Sequence, residues 1–153
     1  MQFKISEGGL DNKNVIDLLQ THLKGMADHS PAESIHALDL NELKTPAVTF
    51  WSVWDGANLC GCGALLELDS QHGEIKSMRT SRPYLGKGVA TTLLQYIIAT
   101  ARKRSYQSLN LETGSGDAFM PAHRLYLKYG FQFCGPFSHY VDDPFSRFMT
   151  KPL

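Results

Sequence analysis

The chain has 153 residues, with 15 Lys and Arg against 15 Asp and Glu, zero formal net charge, 42% hydrophobic and 20% charged residues. This is the composition of one globular domain with one core, and the even charge balance argues against nucleic acid or an anionic membrane surface as a partner. The three cysteines make neither a zinc spacing nor a disulfide framework. With no leader-like N-terminus and no bilayer-length apolar run, a cytoplasmic protein without a metal is expected.

In chain order, Phe3 to Ser6 alternates as a short strand and Gly8-Gly9 breaks it. Asp11 or Asn12 can then cap a helix carrying Val15, Ile16, Leu18, Leu19 and Leu23. The segment from Met26 to Leu43 is polar, and Ser30 with Pro31 predicts a short helix running toward Leu38. Ala47 to Trp54 and Leu59 to Leu68 read as strands joined by Asp55-Gly56-Ala57-Asn58, a hairpin signal. Strand alternation predicts that Cys60 and Cys62 share one face as small core residues. Ser70 to Gly73 turns the chain into a third strand ending at Thr80, in which Glu74 is a carboxylate near the start. After a glycine turn, Val89, Leu93, Leu94, Ile97, Ile98 and Ala101 recur at helical spacing. Arg102-Lys103-Arg104 falls at the end of that helix, where the dipole favours cations. Ser108 to Thr113 is the next strand, Asp117 is expected to cap a helix that Gly130 ends, and Phe131 to Cys134 and Phe145 to Thr150 supply the last strands. The expected fold is α/β (α+β): one domain over 1–153, with a mixed central sheet of about six or seven strands and helices on both faces.

The stretch Leu85-Gly86-Lys87-Gly88-Val89-Ala90 carries the most chemistry. Two glycines one residue apart let the backbone approach a ligand, and a helix start presents unpaired N–H groups and partial positive charge, so the ligand expected there is phosphorylated. The turn is not a P-loop, because Gly-Lys is followed by Gly88 and not by Ser or Thr. It is only a partial dinucleotide fingerprint, because Thr91 stands where the third glycine would be.

Strand, glycine turn, long helix, strand, and then a helix ending in Leu125-Tyr126-Leu127-Lys128-Tyr129-Gly130-Phe131 resembles the GNAT superfamily of acyl-CoA-dependent N-acyltransferases over nearly the whole chain. Ser30 to Asp39 and the pattern Phe137, Tyr140, Asp143-Pro144, Ser146, Phe148-Met149 are similar to one bacterial subgroup, the YsnE-type acetyltransferases. The resemblance implies acetyl-CoA as cosubstrate, held by Met78, Thr80, Leu85, Gly86, Lys87, Gly88, Val89 and Ala90, and no metal. It further implies Glu74 as general base for the amine, Tyr126 as the acid for the departing thiolate, and the Met78 N–H as donor to the developing oxyanion. Two positions depart from the family pattern: Leu85 replaces the usual Arg or Gln, for which Arg82 or Lys87 can compensate, and Phe119 stands where an Asn is common.

The expected activity is direct acetyl transfer to a primary amine of a small molecule, amino acid or peptide, with Glu33, His36, Arg79 and His139 as substrate contacts. Arg79 suits a substrate carboxylate. A ping-pong route through Cys60, Cys62 or Cys134 is the lesser mechanism. The alternative function is a CoA-binding sensor or interaction module of the same fold with weak catalysis. A homodimer is an expectation carried by the resemblance alone.

Overall fold

The computed structural model describes residues 2–153, in the order β1 (Lys4–Glu7), α1 (Lys13–His29), α2 (Leu40–Leu43), β2 (Val48–Asp55), β3 (Asn58–Asp69), β4 (His72–Thr80), α3 (Val89–Lys103), β5 (Ser108–Gly114), α4 (Met120–Lys128), β6 (Gln132–Cys134) and β7 (Ser146–Pro152). The strands form one seven-stranded sheet, ordered β1-β2-β3-β4-β5-β7-β6. The first four strands form an antiparallel meander. The long crossover through α3 makes β4 and β5 parallel neighbours, as a helical connection requires. Two clusters of buried residues lie on opposite faces of the sheet. Leu93, Leu94, Ile97 and Ala101 of α3 meet Trp51, Val53 and Ile75 on one side, and Val15, Leu18 and Leu19 of α1 meet Phe50, Cys62 and Ala64 on the other. Among the described residues no helix is long and apolar enough to cross a membrane.

Two irregularities in the central strands build the site. The β4–β5 ladder pairs only His72 to Ile75 with Ser108 to Leu111, and beyond Ile75 the two strands part. On the other edge of β4 the register with β3 slips between Cys62 and Ala64, where buried Ser77 takes a φ of 56°. A non-glycine residue in the left-handed region marks a bulge that re-aims the strand. The faces after the slip follow: Lys76 and Arg79 lie on the α1 side, and Met78 lies on the α3 side, where a Cβ on Gly63 would meet its sulfur.

Three expectations need correction. Cys60 and Cys62 are both buried but on opposite faces, because the β2–β3 register shifts between Val53 and Trp54 and an inserted residue flips the alternation. The helix expected from Pro31 is only a 3₁₀ turn at Ala32–Ser34. Pro31 is extended (φ −60°, ψ 150°), and the nearby helix is instead α2, started by the reciprocal Asp39–Glu42 capping box. Asp117 opens a 3₁₀ turn and caps nothing. There α4 starts with Pro121 in its first turn, where the fixed φ and missing N–H of proline cost least.

Candidate active site

The glycine turn has the conformation its sequence demands. Gly86 and Gly88 have φ of 73° and 87°, and nothing lies within 4 Å of where a Cβ would stand on either. Gly88 caps α3 without a side chain, and the first bond into the helix is Thr92 N–H to Gly88 O at 3.0 Å. The N–H groups of Val89, Ala90 and Thr91 are therefore left for a ligand. They open on a cleft of about 630 Å³ whose lining includes Met78, Thr80, Arg82, Leu85, Val89 and Tyr126. Leu85 is 62% exposed. Lys87 does not line this cleft; its ammonium lies 5.5 Å from the centre of the Tyr84 ring, which leaves Arg82 as the cation at the mouth. An open row of helix-start amides, glycines with clear space above them and a long cleft fit a phosphorylated, chain-like cosubstrate.

A second cavity, about 290 Å³, lies where β4 and β5 part, roofed by α1 and the segment after it; His22, His36, Lys76, Arg79, Glu112 and Phe119 are in its wall. The Phe119 ring rests on Gly114, where any Cβ would overlap it, and meets His29 edge to face. Phe119 is thus an aromatic wall of the cavity. The two cavities share Met78, Arg79, Ala118, Ala122 and Tyr126. Tyr126 is 5% exposed, and burial pushes its phenol well above the usual range. It is positioned by α4, which is tied to the end of β5 through His123 Nε2, 2.6 Å from Thr113 Oγ1 and 3.1 Å from Gly114 O.

Glu74 is 1% exposed and lies in a buried polar knot. Tyr140 Oη donates to Glu74 Oε2 at 2.5 Å. Lys76 Nζ donates to the same oxygen at 3.2 Å, to Tyr140 Oη at 2.9 Å and to the His36 carbonyl at 2.8 Å. All three ammonium donors are thereby used, and segments near residues 36 and 140 are tethered to β4. Glu74 Oε1 is buried without a partner. Burial pushes the Tyr140 phenol up, with Glu74 adding to the shift.

On the neighbouring strand, Glu112 Oε2 is also buried without a partner. Burial raises the Glu112 pKa; Ser146 and Lys76 oppose the rise, and Glu74 and Asp143 add to it. Burial, and secondly Arg79, lower His22 to about 4. His36 is lowered first by burial and then by Lys76. Both imidazoles are neutral at pH 7.

Of the residues expected at the site, Tyr126, Met78, Thr80, Leu85, Gly86, Gly88, Val89 and Ala90 line the cleft, and His36 and Arg79 line the second cavity. Glu33 is exposed and faces neither. His139 is exposed and stacks on Tyr140, ring centres 4.7 Å apart. Glu112, Lys76 and Tyr140 were not anticipated. The alternation from Ser108 to Glu112 places three polar residues on one face of β5 and Leu109 and Leu111 on the other, and Glu74 and Lys76, two apart on β4, share a face in the same way. Those were readable signals; Tyr140 is marked by the Phe137 to Met149 pattern, but nothing local records that it reaches Glu74 and Lys76.

Two clefts that meet at a buried tyrosine beside splayed parallel strands suit a reaction between two bound substrates. The chain belongs to the Acetyltransferase (GNAT) family, whose model matches residues 14–131. It is 55% identical over 153 residues to the uncharacterized N-acetyltransferase YsnE of Bacillus subtilis (strain 168), with 100% of both chains covered. It is 48% identical to the uncharacterized N-acetyltransferase YedL of Escherichia coli (strain K12), covering 99% of this chain and 95% of that one. Among solved structures, an acyl-CoA N-acyltransferase from Klebsiella pneumoniae superposes with a TM-score of 0.83 at 28% identity, covering 99% of this chain and 98% of that one. A PaiA N-acetyltransferase from Thermoplasma acidophilum, solved with coenzyme A, shares the fold with a TM-score of 0.78 at 16% identity, covering 100% of each chain.

Proposed function

We propose that the chain is an acetyl-CoA-dependent N-acetyltransferase that acetylates a primary amine of a small molecule, amino acid or peptide by direct transfer. The observation that carries this reading is the junction: cleft and cavity share Met78, Arg79, Ala118, Ala122 and Tyr126. When bound, acetyl-CoA supplies the acyl carbon that the amine attacks and the sulfur that leaves. The amides of Val89 to Thr91 hold pyrophosphate, and Gly86 and Gly88 keep the approach clear. The Met78 N–H, on the part of β4 beyond the β5 ladder, serves as donor to charge developing on the acyl oxygen. Tyr126 holds its proton firmly because its ring is buried, and gives it to the departing sulfur.

An aliphatic ammonium, of pKa about 10, must lose a proton before it can attack. Two carboxylates on neighbouring strands are proposed to take it. One is Glu74 through its unpartnered Oε1, and the other is Glu112, whose raised pKa improves it as a base near neutrality. A cytoplasmic location goes with this reading, since the free thiols of Cys60, Cys62 and Cys134 suit a reducing compartment.

The test is calorimetric titration with acetyl-CoA, followed by thiol release over a panel of amines. Micromolar binding with amine-dependent thiol release is expected. Tyr126→Phe should lower turnover about a hundredfold, and of Glu74→Gln and Glu112→Gln, the one that loses the acidic limb of the rate profile identifies the base. Binding without release would make the chain a CoA-binding sensor, the reading that Leu85 and Phe119 favour. No binding at millimolar ligand would overturn both.

A further inference from the structure

The transfer chemistry leaves one charged group in the acceptor wall without a task. Arg79 follows the β4 bulge and is half-buried. The terminal edge of its guanidinium abuts α1, with nitrogens 3.1 and 3.3 Å and Cζ 3.6 Å from where a Cβ on Gly25 would stand, so glycine at 25 makes room for it. Among the described residues it has no carboxylate partner and donates no hydrogen bond; the ion pairs are Lys44–Asp11, His72–Asp69 and Lys76–Glu74. A half-buried guanidinium with five unused donors in a cavity wall is a fork for a planar anion.

The other charges of the wall do not compete for that role. Lys76 spends its three donors on Glu74, Tyr140 and the His36 carbonyl. The rings of His22 and His36 are neutral, and His22 Nδ1, beside Arg79, is buried without a partner. On the β5 side the unpaired group is a carboxylate, Glu112 Oε2. The cavity therefore presents one unpaired cation and one unpaired carboxylate, in a volume of about 290 Å³, at the small end of ligand sites. Met26, Ile75, Leu111 and Phe119 supply apolar wall to the same cavity.

From this arrangement, and resting on the N-acetyltransferase reading above, we infer that the acceptor is a small amine that also carries a carboxylate, an amino acid in the broad sense, with Arg79 binding the carboxylate and Glu112 facing the ammonium. Polyamines fall outside this class, because they bring no anion to Arg79. In the reaction the amine nitrogen bonds to the acyl carbon as the carbon–sulfur bond breaks. One ammonium proton goes to the carboxylate before attack, the tyrosine proton goes to sulfur, the second proton shed by the nitrogen restores the tyrosine, and the acceptor carboxylate is unchanged.

The experiment compares L-amino acids with their own α-carboxamides and decarboxylated amines as acceptors, at saturating acetyl-CoA, by thiol release. Wild type is expected to favour at least one acid over its amide by about tenfold or more in kcat/KM. Arg79→Gln should collapse that ratio to near one through KM, and Arg79→Lys should keep part of it. Calorimetric acetyl-CoA affinity and a thermal melt of each variant separate loss of acceptor recognition from loss of the cleft or the fold. Equal use of acids and amides by wild type, or a ratio that survives Arg79→Gln, would overturn the inference. Robust release with amines lacking any carboxylate would also overturn it and leave the acetyltransferase reading standing. Acetyl-CoA binding with no release from any acceptor would remove both.

Discussion

The cosubstrate cleft and the acceptor cavity share a wall but are built in different ways. The phosphate end of the cleft is made of main chain: two glycines at positive φ and the first amides of α3, all within a short run of sequence. The cavity is made of side chains from α1, the segment after it, β4, β5 and the start of α4, and its polar knot joins residues 64 and 66 positions apart. A main-chain site tolerates side-chain change, and a site made of interlocked side chains does not.

The sharpest way to break that contrast is to cut the knot. Lys76→Met leaves the buried Glu74 carboxylate without its cation, and removing one partner of a buried pair typically costs about 3–5 kcal/mol. Chemical denaturation should show a loss of that size, and Lys76→Met with Glu74→Leu should recover much of it. An unchanged midpoint in the single variant would mean that the knot contributes nothing to the fold.

A smaller effect belongs to pH. His22 is held down to about 4 from 6.5, mainly by burial and then by Arg79. On acidification the unfolded chain takes up the proton first, so this contribution to stability is complete above pH 6.5 and is lost as pH falls toward 4. Melts across that window should show the loss, and His22→Asn should flatten it. A slope unchanged by the substitution would assign it to other groups.

The smallest effects are expected in the cleft. Arg82→Ala should weaken acetyl-CoA binding about fivefold, the scale of one exposed charge contact, and Lys87→Ala less than twofold. Abolition of binding by Arg82→Ala would mean that the cleft depends on a side chain after all.

The same contrast explains what could be read in advance. The strands, the α3 face and the glycine turn follow from local period and turn chemistry, and six α3 residues expected in the core are all buried there. Tyr126 was legible because it sits in a continuous motif. The errors fall where one residue is inserted or where two start signals compete: the extra residue at Cys60, and Asp39 with Glu42 outranking Ser30 with Pro31. The resemblance puts the base at Glu74. Its engagement with Lys76 and Tyr140, and the exposure of Glu112 to the cavity, depend on how far the β4–β5 ladder runs, and no local pattern records that length.

The link between Ser34 Oγ and Asp143 Oδ2, 2.6 Å long, spans 109 positions of the chain, and with the Tyr140 bonds it closes the largest loops around the cavity. The entropy of closing a loop grows with its length, and contacts between distant positions are slow to form. The glycine turn and its helix need no such closure. Acceptor selectivity therefore rests on contacts that close long loops, while the phosphate end rests on a turn closed within a few residues.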